Sequence, residues 1–214
     1  MLTGLLRMTS GSASILGFDI ERQPVEAKKR IGVVPEELIL FDRLTGVEYL
    51  TFVARMYGMQ KNVVRSRCEE LLEIINLQDE RKKLIVDYSL GMKKKLTMSA
   101  ALIHEPQVLF LDEPFEGIDA IASKMIKDIL NLLIQRGVTI FLTSHILEIV
   151  ERLCSDVAII HRGKLIAHGT LEELRRGISL KEREDDSRTM TLEEIFISLV
   201  GVDEKQKRTL SWLE

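Results

Sequence analysis

The sequence is poor in cysteine and in aromatic side chains, and it has no excess of positive charge. Cys68 and Cys154 are the only cysteines among the 214 residues, and neither belongs to a metal-spaced pair. We therefore expect free thiols rather than a disulfide framework or a zinc site. Aromatic residues make up only 5% of the chain, and the formal net charge is −3. Both values argue against nucleic acid as a partner, because that role favours a basic face and stacking side chains.

Long apolar runs are absent as well. No stretch approaches the roughly 20 residues that a helix needs to cross a bilayer. The first residues, MLTGLLRMTSGS, are too weakly hydrophobic for a secretory signal. We expect the chain in the cytoplasm, where any work at a membrane would require a partner. Hydrophobic residues still reach 45%, an ordinary value for a globular protein with a packed core.

Three short apolar runs rich in β-branched residues predict strands, at 107–111, 138–143 and 156–161. Because they lack strict alternation, they suit strands buried on both faces of a parallel sheet. A helical stripe of apolar residues runs from Ile121 to Leu133 between the first two. This order of elements predicts an α/β lobe with a parallel sheet.

The division into domains follows from changes in pattern along the chain. Residues 46–98 carry helical stripes without a strand signal, and so predict a helical subdomain inserted in the α/β lobe of residues 1–45 and 99–177. The charged segment 178–190 predicts an exposed linker. Residues 191–214 predict a C-terminal helix followed by a tail.

Local turn and capping signals lie in the last third of the chain. The Arg162-Gly163 turn followed by KLIAHG predicts a short hairpin partner for the preceding strand. Thr170 with Glu173, and Thr191 with Glu194, each have the spacing of a capping box and predict the start of a helix.

The strongest chemical signal is VLFLDEP, in which an apolar strand ends in two acids, Asp112 and Glu113. Side chains at the carboxyl end of a parallel strand open into the crevice where such sheets bind ligands. Two carboxylates against an apolar strand are costly unless a cation or a reaction needs them. Mg²⁺ beside a nucleotide would account for Asp112, and proton abstraction from water for Glu113. An acidic surface turn is the alternative.

A histidine and a glycine turn add to this signal. Gly117-Ile118-Asp119 follows five residues after Asp112, and LTSH ends the next predicted strand at His145. This position predicts that His145 and Glu113 share one rim of the sheet, where both could reach a phosphate. A structural or idle histidine is the alternative.

The segment DYSLGMKKKL, residues 87–96, precedes a helical stripe. Ser89 and Gly91 offer a hydroxyl and unobstructed backbone N–H groups, which suit an anion at a helix start. The three lysines at 93–95 oppose the helix macrodipole there, and a bound phosphate would resolve that conflict. A solvated run of lysines is the alternative.

Taken in order, YSLGM, VLFLDEP, GID and TSH resemble the nucleotide-binding domain of the ATP-binding cassette (ABC) transporter family. The resemblance is closest to exporters whose membrane subunits are separate chains, and it runs from Met1 to about Gly177. It implies a P-loop NTPase (RecA-like) lobe with an inserted helical subdomain, and ATP and Mg²⁺ as ligands. It also implies two partners, a transmembrane permease and a second cassette, with the chain held by the permease at the inner face of the membrane.

The resemblance implies a role for each matching residue. Asp112 would hold Mg²⁺, and Glu113 would act as general base on the attacking water. His145 would touch the γ-phosphate, and Asp119 would lie in the loop that crosses the interface between two cassettes. Glu36 stands where most members have Gln and could bind the metal or a water.

Ser89 and Gly91 match the signature motif, which contacts the nucleotide held by the opposite cassette. Leu90 and Met92 replace the commoner Gly and Gln, so one glycine remains for close backbone approach. Residues around Leu40, Phe41 and Tyr49 would contact the permease, with plain subdomain core as the alternative.

The phosphate-binding motif G-x-x-x-x-G-K-[ST] occurs nowhere in the chain. The resemblance places this loop just upstream of Met1, so we interpret the chain as truncated at its N-terminus. We expect the chain alone to bind ATP poorly and to hydrolyse it negligibly. A degenerate cassette that regulates an intact partner is the alternative, although the intact acids and His145 argue against it.

Overall fold

The structure is a computed structural model that describes residues 1–182 and 190–201, with only the backbone described at 178–182. It divides into two compact units, Met1–Thr143 and Ser144–Glu214. Among the described residues, no helix is both long enough and apolar enough to span a bilayer.

The first unit mixes strands and helices. Its elements are β1 (Ser14–Ile15), β2 (Phe18–Asp19), α1 (Pro24–Lys28), β3 (Ile31–Val34), α2 (Gly46–Met56), α3 (Lys61–Ile74), α4 (Leu90–Leu102), β4 (Val108–Asp112), α5 (Ala120–Gln135) and β5 (Thr139–Thr143).

Strands β3, β4 and β5 form a parallel sheet in that order, which confirms the predicted α/β class. Leu109 and Leu111 of the central strand are almost fully buried, as the apolar run predicts. Gly32 lets helix α4 approach this sheet, because a Cβ at that position would lie 2.4 Å from the carbonyl oxygen of Ala101. Any residue with a Cβ at position 32 would push helix α4 away from the strand.

Helices α2, α3 and α4 share one apolar core, which confirms the helical character of residues 46–98. Its buried members include Leu50, Ala54, Val64, Cys68, Leu72, Ile75, Leu96 and Ala100. Thr45 begins α2 with a complete capping box to Glu48. Helix α4 continues to Leu102, so it crosses the predicted subdomain boundary at residue 98 and reaches β3.

The second unit contains α6 (Leu147–Leu153), β6 (Val157–His161), β7 (Lys164–Gly169), α7 (Leu171–Glu182) and α8 (Leu192–Val200). Strands β6 and β7 form an antiparallel hairpin, as predicted. The backbone N–H of Thr170 donates to Glu173 at 2.9 Å, and that of Thr191 donates to Glu194 at 2.8 Å. Both predicted capping boxes are therefore confirmed.

Residues 156–161 contain strand β6, as predicted, and its side chains alternate between buried and exposed. Arg162 and Gly163 both have positive φ angles, of 48° and 74°. Two such residues form the tight turn that joins antiparallel strands, which explains the pairing of β6 with β7. A place for this strand in the parallel sheet stays a prediction.

The predicted linker also begins later than expected. Helix α7 continues to Glu182, so residues 178–182 are helical rather than extended. Leu, Lys and Glu favour helices, which explains why charge alone misplaced the boundary. The rest of the predicted linker, 183–189, and most of the predicted tail, 202–214, lie outside the described residues.

Candidate active site

Asp112 ends the central strand β4, and its carboxylate is fixed by the neighbouring strand. The register of β4 and β5 places Asp112 beside Thr143, whose hydroxyl donates a short hydrogen bond to Oδ1 of Asp112. The aspartate is exposed. Asp112 thus lies at the strand end, where the sequence placed it, and its oriented carboxylate faces solvent.

Glu113 follows immediately and has an unusual backbone. Its φ angle is +46°, in the left-handed region that residues other than glycine rarely adopt. Its N–H donates to the carbonyl of Thr143 at 3.2 Å, which continues the pairing of β4 with β5. Such a conformation costs about 1 kcal/mol or more, and it is found preferentially where function requires it.

The turn after Glu113 is held by Lys94, one of the three adjacent lysines at 93–95. Lys94 is 6% exposed, and its ammonium donates to the carbonyl of Glu113 at 3.0 Å and also to that of Glu116. Burial lowers the pKa of Lys94, while the charges of Glu116, Glu113 and Glu36 oppose that shift. Glu36 is thus within electrostatic reach of this turn.

The lysines at 93–95 are therefore not a single group. The ammonium of Lys93 lies 3.9 Å from Oδ1 of Asp42, whereas that of Lys94 is turned into the protein. The bound phosphate expected beside these lysines stays a prediction, but Lys94 does not depend on it, because two backbone carbonyls accept from its ammonium. The alternative of a solvated run is wrong for Lys94.

Ser89 is the N-cap of helix α4, and its Oγ accepts a hydrogen bond from the N–H of Met92 at 3.3 Å. Ser89 is exposed, and Gly91 in the first turn is half-buried. The positive end of the helix dipole therefore opens beside a hydroxyl, which is the arrangement expected for anion binding.

Asp119 is the N-cap of helix α5 and accepts from the N–H of Ala122 at 2.8 Å. The residue is exposed. Two residues before it, Gly117 has a φ angle of +66°, and a Cβ there would lie 2.9 Å from Cδ2 of Leu90. The loop leading to Asp119 thus touches the first turn of α4.

His145 belongs to the second unit, in the segment between β5 and α6, and is exposed. Its predicted place on one rim with Glu113 stays a prediction. Within the first unit, Asp112 and Glu113 lie beside two residues whose roles the sequence did not reveal. Thr143 donates to Asp112, and buried Lys94 donates to the carbonyl of Glu113. The role of Thr143 could have been inferred from its position at the end of the next predicted strand.

The oxygen donors at this site suit Mg²⁺ held together with a nucleotide. Among the described residues, no group of three His, Cys, Asp or Glu side chains forms a metal cage. Mg²⁺ takes one or two carboxylates and fills its other positions with waters and phosphate oxygens. The exposed carboxylate of Asp112 is a donor of that kind, and Glu36 would supply another.

A model of the ABC transporter family matches residues 1–116. The linearmycin resistance ATP-binding protein LnrL of Bacillus subtilis is 38% identical over 81% of this chain and 56% of its own length. The bacitracin transport ATP-binding protein BcrA of Bacillus licheniformis is 39% identical over 82% of this chain and 57% of its own. The chain thus spans little more than half the length of these two relatives.

A solved structure described as the ATP-binding subunit of an ABC transporter has the same fold. It superposes with a TM-score of 0.83 and 30% identity, over 92% of this chain and 80% of the other. The family match covers the Asp112-Glu113 strand end, the N-cap of α4 and strands β3 and β4 of the parallel sheet. The chain therefore belongs to the ABC transporter family and has the P-loop NTPase fold of its ATP-binding proteins.

Proposed function

We propose that the chain is the ATP-binding and ATP-hydrolysing subunit of an ABC transporter, in which a cassette dimer couples hydrolysis to transport by a separate membrane permease, and that the chain alone is inactive. The observation that carries this proposal is the strand end of β4. There an oriented Asp112 precedes a Glu113 held in a left-handed conformation. An acidic surface turn would need neither the hydroxyl of Thr143 nor the strained backbone.

The two acids would divide the chemistry between them. Mg²⁺, when bound with ATP, neutralises phosphate charge. Asp112 and Glu36 would hold it, with the Thr143 hydroxyl keeping the carboxylate of Asp112 in place. Glu113 would accept the proton of the attacking water. The roles of these residues rest on geometry and on the family.

The remaining site residues would serve a nucleotide shared between two cassettes. Ser89 and Gly91 would face the γ-phosphate bound by the partner cassette, since they lie at an open helix N-terminus. Asp119 would lie at the interface between the cassettes. His145 would contact the γ-phosphate, as the family resemblance implies.

An aromatic cluster supports docking to a permease. The ring of Phe41 packs edge-on against Tyr49 at 6.1 Å and against Phe52 at 5.3 Å. Phe41 remains 52% exposed, and the neighbouring Ile39 is 84% exposed. Exposed apolar side chains this close together favour a protein partner. Such docking would hold the chain at the inner face of the membrane.

Export is the direction that the relatives favour. LnrL is named for resistance to linearmycin and BcrA for bacitracin transport. Resistance to a toxic compound is consistent with its removal from the cell. We extend that direction, but no particular cargo, to this chain.

The proposal is tested by titrating the isotope-labelled chain with ATP and Mg²⁺ and following amide chemical shifts. Because the sequence has no G-x-x-x-x-G-K-[ST], we expect weak binding, with shifts around Asp112, Glu113 and Glu36. Asp112→Asn should abolish the part of the response that requires Mg²⁺, and Asp128→Asn on α5 serves as the matched control. If saturating Mg-ATP produced no shifts at these residues, ATP binding by this site would be refuted.

A further inference from the structure

Lys94 is buried without a carboxylate partner in hydrogen-bond contact among the described residues, and it instead uses two backbone carbonyls. Its ammonium donates to Glu113 and to Glu116, which lie 19 and 22 residues along the chain. A buried ammonium is costly unless its donors are satisfied. The arrangement is therefore a specific tie between helix α4 and the turn after β4, and it differs from the neighbouring Lys93, which pairs with exposed Asp42.

These hydrogen bonds act on Glu113, the residue whose backbone geometry the proposed chemistry needs. The N–H of Glu113 is held by the carbonyl of Thr143, and its carbonyl accepts from Lys94 and, at 3.3 Å, from the N–H of Glu116. Both sides of the left-handed residue are thus anchored. A strained conformation persists only where its surroundings enforce it in this way.

A second contact on the same face of α4 reinforces the first. Leu90 lies one helical turn before Lys94, so the two side chains project from the same side of the helix. Leu90 meets Gly117 so closely that a Cβ there would be 2.9 Å from its Cδ2. The segment 113–117 therefore contacts helix α4 at both of its ends, through Lys94 at Glu113 and through Leu90 at Gly117.

We infer that Lys94 is a positioning residue: it fixes the turn 113–116 on helix α4 and thereby couples the orientation of Glu113 to the helix that carries Ser89. For its catalytic consequence the inference rests on the proposed function. In a cassette pair, binding or loss of the nucleotide that faces Ser89 would then alter the orientation of Glu113 in the same chain. Lys94 touches neither nucleotide nor water in this role.

The structural part of the inference is testable without nucleotide. Hydrogen exchange of the Glu113 and Glu116 amides is measured by NMR in the full chain and in Lys94→Met, Lys94→Gln and Lys95→Met. We expect Lys94→Met to speed exchange at these two amides by about tenfold or more, because the carbonyls of Glu113 and Glu116 lose a charged donor and the turn is held less firmly. Lys94→Gln, which keeps one donor group, should give a smaller increase, and Lys95→Met none.

Unchanged exchange in Lys94→Met would overturn the inference, and so would an increase spread evenly over the chain or shared by Lys95→Met. If Lys94→Met fails to fold, Lys94→Gln decides by the same criteria. In the assembled transporter, Lys94→Gln should lower kcat and leave KM for ATP nearly unchanged. A local exchange effect in a chain that binds no ATP would support the role of Lys94 and count against the proposed function instead.

Discussion

The side-chain hydroxyl of Thr143 donates to the carboxylate of Asp112 across two parallel strands, so one residue orients the acid that would hold Mg²⁺. The register that pairs Asp112 with Thr143 also brings the N–H of Glu113 to the carbonyl of Thr143. A single threonine therefore supports both acids, the proposed metal ligand Asp112 through its side chain and the proposed general base Glu113 through its backbone.

Replacing Thr143 by Val removes the hydroxyl but keeps the β-branched shape. We expect a loss of about 1 kcal/mol in the free energy of unfolding, because one hydrogen bond disappears. The Mg²⁺-dependent part of ATP binding should also weaken, since the carboxylate of Asp112 becomes free to rotate. Urea denaturation and the NMR titration measure the two effects.

Thr139→Val is the matched control, because Thr139 is an exposed residue at the start of the same strand. It should leave the magnesium dependence unchanged. An equal loss of that dependence in both variants would show that the bond between Thr143 and Asp112 does not organise the metal site.

Replacing Gly117 by Ala should destabilise the first unit by about 2 kcal/mol. The backbone at Gly117 is left-handed, which costs about 1 kcal/mol for any residue with a Cβ. The new methyl would also meet Leu90 at 2.9 Å. Gly137 has a φ angle of +83° and open space around it, so Gly137→Ala carries the backbone cost alone.

The difference between these two glycine variants, measured by urea denaturation, isolates the contact with Leu90. Adding Leu90→Ala to Gly117→Ala should recover that difference. If Gly117→Ala proved no worse than Gly137→Ala, the close packing of α4 on the turn would be contradicted.

His104 gives the first unit a dependence on pH. Its Nε2 lies 2.9 Å from the carbonyl of Ile31, and its ring stacks on Tyr57 at 3.6 Å. Burial lowers the pKa of His104 below its ordinary value of 6.5, and the contact with Ile31 opposes this. The unfolded chain therefore binds the proton more readily, so stability is full above pH 6.5 and falls as the pH drops towards the lower folded pKa.

His104→Phe keeps a ring against Tyr57 and removes the titrating group. We expect its melting temperature to fall less than that of the unaltered chain as the pH is lowered below 6.5. At neutral pH the variant should be less stable, because the carbonyl of Ile31 loses a donor. Parallel pH profiles for the two proteins would exclude His104 as the source.

Phe41→Ser tests the aromatic cluster as a permease-docking surface. Because the ring is half exposed, its removal should cost the chain little stability while weakening association with the permease. Ile74→Ser removes an apolar side chain of similar exposure, 47%, from the end of α3 and should leave association intact. Co-purification with the permease and thermal melting separate the two effects, and equal retention of the permease by Phe41→Ser would refute the docking surface.

The sequence predicted the strand end of β4 well because the signal is local. An apolar run that stops at Asp112 and Glu113 has few structural solutions. The capping boxes at Thr170 and Thr191 were equally local. Residues 156–161 were recognised as a strand, but a short apolar run does not reveal its partner, and the turn that joins it to β7 places an arginine in a conformation better suited to Gly or Asn.

Lys94 could not be predicted as a buried residue, since its acceptors are carbonyls that only the folded turn supplies. In the sequence it is one of three adjacent lysines, and their shared charge suggested a shared role. Lys94 and Glu113 are far apart in the sequence, as are Asp112 and Thr143, so neither contact can be recognised before the chain is folded.

Helix α4 has 13 residues and is therefore roughly 20 Å long. Its N-terminal end is the exposed cap at Ser89, and its C-terminal end packs directly on the backbone of Gly32 in β3. The end at Ser89 is held as well, because Leu90 and Lys94 fix it to the turn that follows β4. A displacement of α4 at the cap would therefore strain the backbone of β3 and of β4 together.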